Sequence, residues 1–146
     1  MNCAGKRPSQ AQQSRHNKAL YLPMSRATAD GLVLPVRVAL ESIRRGHMDR
    51  DAVVTLSEVV LLTGFLTAEG HGALQPGLLD DSERRLLAAL NAPEGAREAA
   101  LDMIEALTLI VNEYDRLMRE CRLLAIVQAN EHFERLSRSA VAARLA

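Results

Sequence analysis

Apolar side chains recur every three or four residues along most of this chain, the spacing that lines one face of an α-helix. The first such run holds Val36, Leu40 and Ile43, with Val33, Ala39 and Leu32 beside it, and predicts a helix that starts between Ala29 and Pro35 and ends at Arg45. Pro35 suits a first helical turn, where its missing N–H costs nothing, and Gly46 supplies a left-handed stop. Arg44 and Arg45 fall at the C-terminal end, where positive charge suits the helix dipole. A second helix is predicted from Asp49 or Arg50 to Glu69, capped by Asp49 and stopped by Gly70. Its string VVTLSEVVLLTGFL is apolar around much of its circumference and also suits a buried strand; a length of about 20 residues without a turn signal decides for a helix. Gly64 within it costs about 1 kcal/mol relative to Ala, a cost expected where another helix crosses closely.

Residues 70–77, GHGALQPG, read as a loop. Asp80, Asp81 and Ser82 then open a short third helix whose buried face is Leu86, Leu87 and Leu90, and Pro93 favours a restart. From Glu94 to Leu136 there is no proline, and no glycine after Gly95. Leu101, Ile104, Leu107 or Thr108, Val111, Tyr114, Leu117 or Met118, Cys121, Leu124 or Ala125, Gln128 and Phe133 mark a stripe near the helical period. The run reads as one helix of roughly 40 residues, or as two with a kink. An element that long extends past the rest of the fold and exposes its stripe, so the expected assembly is an antiparallel homodimer whose self-association face is Val111, Tyr114, Met118, Cys121 and Ala125. The alternative is a hairpin broken near Asn112 or Asn130 that closes a self-contained bundle. Either way the fold class is all-α: a small bundle of four to five helices with a long C-terminal helix and a disordered basic N-terminal arm.

The arm is residues 1–26 and the helical domain residues 27–146, a length that supports one core. Residues 1–19 lack periodicity and are rich in Gln, Ser and basic side chains, the composition of a disordered segment. In LYLPMSR, Pro23 biases the chain toward extended backbone, and Leu20, Tyr21, Leu22 and Met24 are expected to supply the energy that lays it on the domain. Apolar residues are 48% of the chain but aromatics only 3%, with no Trp, so the core must come from aliphatic side chains and Met. So few rings also weaken any reading based on stacking against bases or sugars.

The net charge of zero hides an asymmetry. The arm carries Lys6, Arg7, Arg15, Lys18 and Arg26 and no acid, while the body carries 13 Arg against 18 Asp or Glu. Those five cations are the candidate contacts to an anionic partner such as nucleic acid. Cys3 and Cys121 are far apart in sequence, which disfavours a structural disulfide and points to a reducing, cytoplasmic setting. The first 25 residues lack the apolar stretch of a signal peptide, and no run of 18 uninterrupted apolar residues occurs, so no membrane span is expected.

Chemistry is sparse. His16, His47, His71 and His132 have no His or Cys three or four residues away, and the Glu-x-x-His pairs of a di-iron bundle are absent. Asp49 and Asp51 near His47 read as capping acids before they read as ligands. Cys121 reads as a small buried hydrophobe, and nothing fixed in the arm can hold a base beside Cys3. There is no phosphate loop and no Gly-x-Ser-x-Gly elbow. Glu58 sits on the one polar strip of its helix and is expected to face solvent. In YDRLMRECR, Glu113 precedes Arg116 by three and Asp115 precedes Arg119 by four, spacings that predict ion pairs along the helix rather than a phosphate-binding patch. A helix-turn-helix reading fails because Asp80, Asp81 and Glu83 crowd the end of the short helix that would meet the DNA backbone.

The element NKALYLPMSR, a first helix, a Gly-His-Met-Asp turn and the E-Y-D-R-L-M of Glu113–Met118 together resemble small uncharacterised all-helical bacterial proteins of phage-like or integrated mobile elements. The resemblance spans residues 18–136. It implies an accessory role for a mobile element and carries no activity or site residues with it. The expected function is non-catalytic: a helical protein, without cofactor or metal, that self-associates as a dimer and docks a protein partner. Its alternative is a weak nucleic-acid-binding regulator acting through the arm. A third reading is an enzyme using Glu58 or His71 in a cleft.

Overall fold

The computed structural model describes Ser9 and residues 18–145. Residues 26–145 form an all-α domain of six helical segments, one more than the four to five expected. They are α1 (Arg26–Arg44), α2 (Arg50–Ala68), α3 (Pro76–Asn91), a short 3-10 turn (Glu94–Ala96), α4 (Leu101–Glu120) and α5 (Leu123–Leu145).

Local signals set most of the ends. Asp49 caps α2 by accepting from the Ala52 N–H at 2.8 Å. Both glycine stops form as expected. Gly46 and Gly70 adopt φ of 86° and 90°, and the amides of His47 and His71 reach back to the carbonyls of Ser42 and Leu66 at 2.8 and 2.9 Å. This is the six-to-one bond that closes a helix on a left-handed residue.

Other boundaries differ from expectation. The first helix begins at Arg26 rather than between Ala29 and Pro35, because Ser25 caps it: the Ser25 Oγ accepts from the Thr28 N–H at 3.2 Å. Pro35 therefore lies inside α1, where it removes one backbone hydrogen bond and sets its ring toward the carbonyl of Gly31. The third helix starts at Pro76, which takes the first-turn position, so Asp80 and Asp81 lie within α3 and Leu87 is exposed. After Pro93 only the 3-10 turn forms. Arg97 ties the following segment back to α3 by donating from Nε to the Ala89 carbonyl at 2.9 Å.

Of the two readings of the long run, two helices is the one that forms, and α5 is the expected long C-terminal helix; the break falls at neither Asn112 nor Asn130 but at Cys121, whose φ of −70° and ψ of 144° are extended. The segment containing Pro23 runs antiparallel to the break and forms an isolated bridge with Arg122. The Leu123 N–H donates to the Leu22 carbonyl at 2.8 Å. LYLPMSR is thus laid on the domain as expected, but backbone pairing and Met24 hold it there. Tyr21 and Leu22 remain exposed. The break also resets the helical phase: Ile126 and Ala129 are buried, whereas Gln128 faces solvent.

α2 is the centre of the bundle, packed against α1, α3, α4 and α5. By length and composition it would suffice to cross a membrane; its place in the bundle gives that apolarity a structural reason, with Val53, Leu56, Val60, Thr63 and Leu66 buried. Each fully buried leucine of this kind contributes about 2 kcal/mol of transfer free energy. Gly64 does not mark a close helix crossing: a Cβ there would meet nothing within 4 Å.

Candidate functional site

The residues expected to mediate self-association are used up in this chain's own core. Val111, Tyr114, Met118 and Cys121 are buried and Ala125 is half-buried, because α1 and α2 cover that side of α4. The premise that this stripe overhangs the fold is therefore overturned. What overhangs is the far half of α5. Residues 134–143 are exposed along their whole length, and Leu136 and Val141 retain 55% and 57% of their surface.

Where α5 leaves α2, the two helices and α3 enclose a groove of about 400 Å³. Its floor is Val60, Leu61, Gly64 and Phe65 of α2, and the missing side chain at Gly64 deepens it. Pro76 and Leu79 of α3 form one wall, Ala129, His132, Phe133 and Leu136 of α5 the other. The ring of His132 stacks on Phe65 with centroids 4.4 Å apart. Asp80 and Glu83 give the α3 rim a negative charge. The groove is therefore an apolar trough with an acidic edge that runs into the exposed apolar positions of α5.

A second apolar face, shallower, lies on α4 around Leu101, Ile104 and Leu109, beside Arg44 of α1. Arg44 donates to the Thr108 hydroxyl at 3.2 Å, which fixes the edge of that face.

The charged residues of YDRLMRECR pair within the fold. Asp115 accepts from Arg37 Nη2 at 2.8 Å and from Arg119 Nε at 2.6 Å, and Arg119 also reaches Asp30 at 2.8 Å, so four charges of α4 and α1 interlock. Burial pushes the Asp115 carboxyl up, and the bonds from the two guanidiniums outweigh it and hold it below the usual carboxylate range. Arg116 Nη2 donates to Glu113 at 2.6 Å, its Nη1 to Glu120 at 2.8 Å, and the Ala73 N–H donates to Glu113 at 3.1 Å. Arg116 holds the Glu113 carboxyl below its ordinary value against the opposing effect of burial, with the Ala73 amide helping. The loop after α2 is thereby fastened to α4.

The other candidates are scattered. Glu58 is exposed on α2, as expected. His71 lines a separate cleft of about 300 Å³ with Glu69, Gln128, Glu131 and Arg135, which does not include Glu58. His47 is exposed beside the Asp49 cap. Among the described residues, no group of three or more His, Cys, Asp or Glu converges as a metal site would require. Of the arm's cations, Lys18 and Arg26 are exposed; Lys6, Arg7 and Arg15 lie outside the described residues, as does His16.

The groove escaped sequence reasoning because three segments distant in sequence build it and a break without Gly or Pro places its third wall. The signal that was present is Gly64, an unfilled position in an otherwise bulky helix. Comparison of the chain with protein-family models, with curated proteins and with solved structures finds no match.

Proposed function

We propose that this chain is a non-catalytic helical protein that self-associates and docks a protein partner, and that the trough between α2, α3 and α5 is its docking surface. The observation that carries the reading is the continuity of that trough with Leu136, whose side chain is 55% exposed at its open end. Apolar surface laid out along a helix and bordering a groove is the form in which an amphipathic helix is received. Asp80 and Glu83 on the rim favour a ligand with an apolar helical face flanked by basic residues.

Two measurements test this. Light scattering of the full chain reads self-association, with a dimer expected at twice the 16.0 kDa of one chain. Fluorescence anisotropy with a labelled amphipathic helical peptide reads docking. A basic-flanked peptide is expected to bind at least tenfold more tightly than its acid-flanked counterpart, as a difference of about 1.4 kcal/mol requires, and Leu136→Glu is expected to abolish binding. A monomeric chain that binds neither peptide ends the proposal.

A further inference from the structure

The break between α4 and α5 has no local cause. Helices are ordinarily broken by proline, by glycine or by a residue forced into left-handed backbone. Residues 96–146 contain no glycine and no proline, and no residue other than glycine has positive φ among the described residues. Glu120 and Arg122, on either side of Cys121, are both good helix formers. A tertiary contact holds the break instead. The Leu123 amide, which a continuous helix would direct to the carbonyl of Arg119, is taken by the Leu22 carbonyl at 2.8 Å.

α5 is also the most loosely attached helix. It packs chiefly on α2, through Ile126, Ala129 and the stack of His132 on Phe65, and its residues 134–143 are all exposed. The hinge is one extended residue, Cys121, followed by Arg122. A short hinge joining an element with few contacts is the arrangement in which identical elements change places between copies.

We propose that the chain self-associates by exchanging α5. In the exchanged pair the bend at Cys121–Arg122 straightens, α4 and α5 join into one helix of about 68 Å at 1.5 Å per residue, and the α5 of each copy packs on α2 of the other. Every contact that α5 makes with α2 is recovered between chains. The continuous helix regains the backbone bonds lost at the break, and the association entropy is met by raising the concentration. This rests on the self-association reading and specifies its partner, a second copy of this chain, and its surface, the α5-binding face of α2.

Arg122→Pro separates the two states. Proline favours extended backbone in the residue before it, and in the bent form Cys121 already has that backbone, with ψ of 144°. In a straight helix the same proline removes a hydrogen bond and clashes with the preceding turn. The expected result is a wild-type chain whose dimer fraction rises with concentration and an Arg122→Pro chain that associates at least about a hundredfold more weakly, with helical circular dichroism unchanged. A dimer that persists unaltered in Arg122→Pro overturns the exchange and leaves self-association standing. A wild-type chain that is monomeric at every concentration overturns both.

A second readout stands should Arg122→Pro fail to fold. A Cys3→Ser chain carrying Phe65→Cys and His132→Cys is treated with a short bis-maleimide. Bonds between chains in the dimer fraction are expected on a denaturing gel; bonds confined to single chains in that fraction overturn the exchange.

Discussion

Arg37 of α1 and Asp115 of α4, 78 residues apart in sequence, meet at 2.8 Å, and the same guanidinium donates to the Asn112 side chain at 2.7 Å. One side chain thus fixes the rotation of α4 against α1 through two neighbouring positions of its outer edge. Arg37 is 39% exposed, so screening limits what the pair adds: Arg37→Gln is expected to cost less than about 1 kcal/mol in urea unfolding. A cost of several kcal/mol would mean that the guanidinium is more deeply enclosed than this geometry shows.

The pH dependence follows from Asp115 and Glu113, both held below the ordinary carboxylate range in the folded chain. Folding therefore releases protons from these groups, and their contribution to stability is complete above the unfolded value of about 4 and is lost as pH falls through the lower folded values. The urea midpoint is expected to fall as the pH is taken from about 5 to about 2. Asp115→Asn should flatten part of that fall; a slope identical to wild type would remove Asp115 from the account.

The glycines divide by backbone. Gly46→Ala and Gly70→Ala force a side chain into φ of 86° and 90° and are each expected to destabilise by about 1 kcal/mol. Gly64→Ala, in helical backbone with nothing within 4 Å of the new Cβ, is expected to stabilise by up to about 1 kcal/mol. Thermal melts of the three variants check the opposite signs. The same Gly64→Ala change partly fills the trough and should weaken peptide docking while it raises the melting temperature.

Cys121 is buried at the hinge, and burial pushes its thiol up, with Arg116 opposing and the nearby Glu120 and Glu113 adding to the rise. In a Cys3→Ser chain, alkylation at mildly alkaline pH is expected to be much slower than in the same chain unfolded in urea. Rates equal in the two states would show that the hinge is open in the folded protein.

Part of this architecture was legible residue by residue. Asp49 and Gly70 end α2 where they were expected to, since a capping carboxylate and a left-handed glycine act within one turn of themselves. The ion pairs of Glu113 with Arg116 and Asp115 with Arg119 follow from spacing along a single helix. The start of α1 is set by the Ser25 cap and not by Pro35, because proline inside a helix costs a bond without forbidding the helix.

By its sequence alone the chain is helical, has an aliphatic core and must stop at Gly46 and Gly70, because periodicity and glycine conformation are short-range properties. Only the tertiary structure decided that residues 101–145 are two helices, that Val111, Tyr114 and Met118 are covered within one chain, and that the exposed stripe lies on α5. The physical reason is long-range contact: α1 and α2 pack over that side of α4, and at the break the Leu123 amide is taken by its bond to the Leu22 carbonyl. That bond joins residues a hundred positions apart, and no pattern local to either of them encodes it.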